Sequence, residues 1–168
     1  MSAWVKAAVP EWRIGVKGAG AAQLLAELGL SVPKRPNSWA PLRQIDRDDS
    51  DNVIARLGNT EFFIEGGATD IAALESKLAQ GVAGAYPVLR EDTALVVGGE
   101  DARHALAQVC NVNLAALDAT AKPIVMTLMI GVGVLVLPQL TERGPIYRIW
   151  CDPSFGPYLQ SELEEITQ

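Results

Sequence analysis

The chain has 168 residues, of which 49% are hydrophobic and 20% charged, and its formal net charge is −6 at pH 7. The length fits one domain, residues 1–168, and the apolar content excludes a disordered chain. The acidic balance argues against nucleic acid or an anionic membrane surface as a partner, since both attract Lys and Arg. The longest apolar run, residues 124–138, is shorter than the roughly 20 residues of a membrane-spanning helix. Because the mean hydropathy of +0.15 is high for a soluble protein, we expect another polypeptide to cover the surplus apolar surface.

Residues 1–10 contain one Lys and only a short apolar stretch, so they lack the long apolar region of a secretion signal. We expect a mobile arm there. The two cysteines are too few for a disulfide framework in a chain of this size. These features favour a reducing, cytoplasmic location.

A strand, a glycine turn and a helix occur twice in the sequence. Arg13–Lys17 is a β-branched run followed by Gly18, and residues 94–97 are followed by Gly98 and Gly99. Each turn precedes an apolar stripe at the i, i+3, i+4, i+7 spacing of a helix with one buried face. The stripes are Ala21, Leu24, Leu25 and Leu28, and then Ala102, Ala105, Leu106 and Val109. We interpret this correspondence as a duplication, although an unduplicated α+β domain remains an alternative.

The remainder of each half also reads as strands followed by a helix. Residues 33–50 are an irregular loop with one short strand near Trp39, residues 52–57 and 61–65 form a hairpin, and Thr69 and Asp70 offer caps for a helix. Residues 81–90 join the halves. In the second half, residues 134–137 and 146–150 are paired strands joined by a polar loop, 139–145.

Asp152 and Pro153 then begin a closing helix. We expect its buried stripe to contain Phe155, Tyr158, Leu159, Leu163 and Ile166. The fold class is therefore α+β, with two repeated strand-helix-strands-helix halves at about 12–82 and 89–168.

Few residues offer catalytic or metal-binding chemistry. His104 is the single histidine and lies on the outer side of its stripe, and Cys110 and Cys151 have no paired spacing. We expect both cysteines to be buried and structural. Residues 18–23 occupy a strand-to-helix turn but lack the small sixth residue of a dinucleotide fingerprint. We therefore expect neither a catalytic residue nor a cofactor or metal site on this chain.

Four acidic side chains lie near the second glycine turn, Gly98 and Gly99, and two of them are explained by the charge of a helix end. Glu91, Asp92, Glu100 and Asp101 would suit acid-base chemistry in a suitable cleft. Glu100 and Asp101, however, fall where a helix begins, and the helix dipole favours negative charge there.

Four tryptophans are the candidate anchors for a partner. Trp39 lies in a polar, proline-rich stretch, and a loop tryptophan is hard to bury within its own chain. We assign Trp39 to a partner interface and Trp150 to the core, and Trp12 is a second interface candidate.

Four stretches resemble the gamma subunit of heterotetrameric sarcosine oxidase. They are Arg13–Gly18 with its helix, Ala55–Phe62, Leu89–Leu114 with its Cys-Asn-Val-Asn-Leu ending, and Tyr147–Phe155 continuing to Leu163. Their order and spacing carry the resemblance, which covers most of residues 12–166. It implies ferredoxin-like units as in the folate-binding aminomethyltransferase (T-protein) fold.

The resemblance also implies a role without catalysis. In that family FAD, FMN, NAD and tetrahydrofolate belong to other subunits, and the gamma subunit packs against the large, alpha-type flavoprotein subunit of a heterotetramer. The complex demethylates sarcosine or another N-methyl amino acid and passes the carbon to tetrahydrofolate.

Three alternatives remain open. A similar small subunit occurs in N-methylglutamate dehydrogenase, a free-standing folate-binding one-carbon transfer protein would share the fold, and an unrelated regulatory or binding module would share the composition. The Lys-Gly-Cys-Tyr-type motif of the folate-dependent iron-sulfur assembly relatives is absent from the sequence, which disfavours that branch.

Overall fold

A computed structural model describes residues 2–8, 12–48 and 50–168. The chain divides into a first unit, Glu11–Arg90, and a second unit, Met1–Pro10 with Glu91–Gln168. Three single-turn 3-10 helices at Leu114–Ala116, Ala119–Ala121 and Pro153–Phe155 accompany the main elements. The strands and α-helices in chain order are β1 (Trp4–Ala7), β2 (Trp12–Lys17), α1 (Ala21–Glu27), β3 (Ser38–Pro41), β4 (Val53–Arg56), β5 (Glu61–Gly66), α2 (Ala68–Ala79), β6 (Tyr86–Val88), β7 (Thr93–Gly98), α3 (Ala102–Ala107), β8 (Val125–Met129), β9 (Val132–Thr141), β10 (Gly144–Cys151) and α4 (Gly156–Ile166).

The first unit is a five-stranded antiparallel sheet in the order β3-β4-β5-β2-β6. One face packs on α1 and α2, whose stripes supply Leu24 and Leu25, and Leu74 and Leu78, to the core. The predicted strand near Trp39 is β3, and the predicted hairpin is β4 with β5. The helical stripe expected after Gly18 is therefore confirmed in α1.

The second unit has a sheet in the order β1-β7-β10-β9-β8, also antiparallel. Its core contains Ala105 and Leu106 from α3, and Leu159 and Leu163 from α4. The two strand orders correspond one to one when β6 is matched with β1 and β2 with β7. The α+β class with two repeated halves is thus confirmed.

The arm expected at residues 1–10 is wrong for the residues that the structure describes. Trp4–Ala7 is the edge strand β1, and residues 9–11 lie outside the described part of the chain. The strand partners, Leu95–Gly98, are far away in the sequence, so no local pattern reveals the pairing.

Three smaller expectations also differ from the structure. The polar loop at 139–145 is mostly strand, because β9 and β10 extend to a tight turn at 142–143. Helix α2 begins after Gly67 without a side-chain cap, and Asp70 instead binds Arg43 at 2.6 Å. Phe155 and Tyr158 are 49% and 46% exposed, since the buried stripe of α4 consists of Gly156, Leu159 and Leu163.

Candidate interaction surface

His104 and the two cysteines differ in their exposure to solvent. His104 is exposed on α3, Cys110 is half-buried, and Cys151 is buried at the end of β10. Burial raises the pKa of the Cys151 thiol, and the negative charges of Asp92 and Asp152 raise it further. A raised pKa leaves the thiol protonated and unreactive at neutral pH. Among the described residues, no group of three or more His, Cys, Asp and Glu is placed to hold a metal ion.

The glycine turn after β2 receives another part of the backbone. Gly18 has φ +121°, and a Cβ there would lie 2.1 Å from the carbonyl oxygen of Gly84. The N–H of Gly20 donates to the same oxygen at 2.7 Å. These glycines therefore permit a close approach of the chain within the first unit, a reason that the sequence alone did not reveal.

Trp39 does not offer an exposed surface, because it lies in the short strand expected near it and not in the surrounding loop. It is 4% exposed and lies in β3 opposite Ala55 of β4. The regular hydrogen bonding of the strand pair allows this backbone to be buried. The prolines on either side had suggested an irregular loop instead. The core assignment of Trp150 is confirmed, since it is 1% exposed with the Arg148 guanidinium 5.1 Å from its ring centre.

Trp12 is 61% exposed at the start of β2, opposite Gly66 of β5. Side chains alternate along a strand, so Trp12 lies on the same face of the sheet as Ile14. Ile14 contributes to the core of the first unit, whereas Trp12 lies beyond its edge. The interface role of Trp12 stays a prediction, and the side chain is placed where a partner can reach it.

The first unit has a groove of about 310 Å³, and its lining includes Arg13 and Ile14, the two residues that follow Trp12 in β2. It runs between α2 and the edge strand β6, and Leu89, which follows β6, is 79% exposed. The residues that line it are mainly apolar: Arg13, Ile14, Glu75, Ala79, Pro87, Val88 and Leu89. We call this groove together with Trp12 the Trp12 surface. An apolar concavity with an exposed tryptophan is the type of surface that anchors protein partners.

A carboxylate, that of Glu75, is among the side chains that line the Trp12 surface. Arg13 is neutralised by an ion pair with Glu65, its cross-strand neighbour on β5. Glu75 is exposed on α2 and makes no hydrogen bond or ion pair with any residue that the structure describes. A carboxylate beside an apolar groove favours a partner that presents an apolar side chain next to Lys or Arg.

Sequence reasoning missed most of this surface. Leu89 lies in the connection between the halves and looked like part of a linker, whereas residues 86–88 form a strand. A second exposed apolar pair, Met126 and Leu128, lies on the edge strand β8 at 56% and 47% exposure. Residues 125–129 are apolar at every position except Thr127, so no alternation in the sequence distinguishes the exposed side of this strand.

Comparisons with known proteins give matches only at the level of structure. No family model and no curated protein matches the sequence. A chain of the heterotetrameric sarcosine oxidase from Corynebacterium sp. U-96, solved in complex with pyrrole 2-carboxylate, superposes with a TM-score of 0.76 at 18% identity, over 98% of this chain and 83% of that chain.

The second structure is the glycine cleavage system aminomethyltransferase T from Bartonella henselae. Its TM-score is 0.68 at 16% identity, over 96% of this chain and 45% of that chain. The chain has the aminomethyltransferase fold. The expected ferredoxin-like halves of that fold are the two sheets described above, and the chain spans less than half of the aminomethyltransferase. None of the helices among residues 2–8, 12–48 and 50–168 has the length and hydrophobicity of a membrane span.

Proposed function

We propose that this chain is a non-catalytic subunit of a flavin-dependent complex that oxidises sarcosine or another N-methyl amino acid. The observation that carries the proposal is the structural match to a chain of a heterotetrameric sarcosine oxidase, which extends over 98% of this chain and 83% of that one. A match over most of that chain favours a corresponding subunit over a shared domain within a larger enzyme.

The surface chemistry supports the same proposal. Trp12 and Leu89 are each more than half exposed beside an apolar groove, and an isolated monomer gains nothing from leaving them in water. The described residues provide no cluster that could hold a metal ion, and the Cys151 thiol is kept protonated. A subunit whose role is assembly needs an exposed apolar surface, and it needs neither a metal site nor a reactive thiol.

In this proposal the redox and one-carbon chemistry belongs to partner subunits. FAD, FMN, NAD and tetrahydrofolate bind there, and this chain packs against the large flavoprotein subunit of a heterotetramer. If the complex is an N-methylglutamate dehydrogenase, the proposed role of this chain is the same and only the substrate differs. The Trp12 surface is the part of this chain that we assign to the large subunit.

A free-standing folate-binding one-carbon transfer protein is the second candidate function. The match to aminomethyltransferase T favours it. This chain spans 45% of that enzyme.

Purification of the tagged chain from its native host tests the proposal. We expect it to co-elute with a larger protein whose visible spectrum shows flavin bands, and the eluate should oxidise sarcosine or N-methylglutamate. A monodisperse chain without flavin contradicts the proposal. Calorimetric binding of tetrahydrofolate to that isolated chain would then favour the second candidate.

A further inference from the structure

Strand β1 occupies in the second unit the place that β6 occupies in the first. Each is the edge strand beside the strand that precedes the glycine turn of its unit, β7 or β2. The registers agree position by position, since Trp4 opposes Gly98 as Tyr86 opposes Lys17, and Val5 opposes Val97 as Pro87 opposes Val16. In sequence, however, β6 follows the helix α2 of its own unit, whereas β1 precedes the whole first unit.

The glycine turns show the same correspondence. Gly99 has φ +104°, and a Cβ there would lie 2.5 Å from the carbonyl oxygen of Ser2. Gly18 meets the carbonyl oxygen of Gly84 in the same way. In both units, the residue two positions before the edge strand, Gly84 or Ser2, places its carbonyl oxygen against the glycine turn. The second unit is therefore a permuted copy of the first, with its last strand attached at the other end of the chain.

Backbone pairing and core packing both hold residues 3–8 along β7. Trp4–Ala7 form a ladder with Leu95–Gly98, and the N–H of Ala8 extends it by donating to the carbonyl of Ala94 at 2.9 Å. Ala3 is 7% exposed and belongs to the core with Ala102 and Ala105. Ala3 thus packs in the core, and Trp4, the next residue, pairs with the edge of β7.

The indole of Trp4 lies against Gly98, which has no side chain to obstruct it. A Cβ at Gly98 would lie 2.3 Å from Cζ2 of the indole, a distance that real Cβ atoms do not show. The Lys6 ammonium lies 5.1 Å from the ring centre of the same indole. Because Gly98 has no side chain, space is left there for the tryptophan ring, and we call this space the seat of Trp4.

The contacts of β1 described above all lie within the second unit. Strand β1 pairs with β7 and packs on α4, both in the second unit. A cavity of about 220 Å³ lies between the end of α4 and the start of β1, and Ser2 and Gln168 both line it. The corresponding helix and strand of the first unit are joined by residues 80–85, and residues 80, 82 and 85 make local backbone hydrogen bonds there.

We propose that the groove formed by the β7 edge, α3 and α4 is a strand-accepting site. Its ligand is an extended peptide with a small residue followed by tryptophan, and residues 2–8 of this chain fill it. The segment binds by its own contacts, independently of its covalent link to β2.

A cleavable chain tests the proposal. A protease recognition sequence is inserted between Ala8 and Trp12 of the full-length protein, and the folded protein is cut. We expect the released segment to co-elute with the remainder at high concentration and to dissociate on dilution. A fluorescent synthetic peptide of residues 2–8 should then rebind with a saturable change in anisotropy. Loss of the segment without rebinding, or loss of the folded circular dichroism signal that the peptide does not restore, overturns the proposal.

Matched glycine variants test the specificity of the groove. Gly98→Ala should weaken binding of the peptide about tenfold or more, whereas Gly133→Ala, a strand glycine of the same sheet with open space around it, should leave binding unchanged. The difference should disappear with a Trp4→Ala peptide, because the clash involves the indole. Equal binding of the native peptide to both variants overturns the assignment of Gly98 as the seat.

Discussion

Arg13 and Glu65 face each other across β2 and β5, and Nε of the arginine donates a hydrogen bond to the carboxylate. Their side chains are 12% and 1% exposed. Four positions along the same two strands, Lys17 and Glu61 form a second cross-strand pair at 3.2 Å with both side chains 37% exposed. The sheet thus contains one buried and one exposed ion pair in the same register.

Removing the cation of the buried pair should be far more costly than removing that of the exposed pair. Arg13→Met leaves the Glu65 charge buried without this hydrogen bond, and we expect a loss of about 3 kcal/mol in the free energy of unfolding. Lys17→Met should change it by less than about 1 kcal/mol. Urea denaturation of both variants measures the difference, and similar midpoints would show that the Arg13 pair is not buried in solution.

Cys151 should make the protein less stable at alkaline pH. The folded chain keeps the thiol protonated because its pKa is raised, whereas the unfolded chain loses the proton at the ordinary value of about 8.5. Stability is therefore fully present below that pH and falls as the pH rises through the raised value. We expect Cys151→Ala to flatten this decline between pH 8 and pH 10, measured by thermal melting. An unchanged slope would assign the alkaline decline to other groups.

The two interface candidates should respond differently to truncation. Trp39→Ala removes an indole that is 4% exposed and should reduce the free energy of unfolding by about 3 to 5 kcal/mol. Trp12→Ala removes a side chain that is 61% exposed and should change it by less than about 0.5 kcal/mol. Chemical denaturation compares them. If the Trp39→Ala variant were as stable as the parent, Trp39 would have to be exposed in solution.

The Trp12 surface should be required for assembly and dispensable for folding. Leu89→Asp places a charge in the groove and should abolish co-elution with the flavin-containing partner, while the melting temperature stays close to that of the parent. Ile45→Asp is the matched control, since Ile45 is 88% exposed and does not line the groove. Loss of the partner in both variants would show that added charge, and not the groove, prevents assembly.

The rim charge of the same surface provides a separate prediction. Glu75→Lys should weaken association with the partner most at low ionic strength, because the proposed complementary charge becomes a repulsive one. Glu165→Lys, a reversal at another exposed helical glutamate in the second unit, should have little effect. Co-elution measured at two salt concentrations distinguishes them. Equal retention of both variants would remove Glu75 from the interface.

The sequence by itself determined the local elements and their repetition. The strand-glycine-helix pattern around Gly18 and Gly99 predicts both units, because the period of the apolar residues identifies a helix without any knowledge of its partners. The burial of Trp150 followed from its position in a strand. The fold class therefore needed no tertiary information.

The tertiary structure alone decided where the short edge elements pair and which aromatic side chains remain exposed. A four-residue strand such as β1 is stable only on a partner edge, and that edge comes about ninety residues later in the chain. Trp39 is buried because β3 pairs with β4, whereas Trp12 extends beyond the core at the start of β2. Such outcomes depend on contacts between residues distant in sequence, which periodicity does not encode.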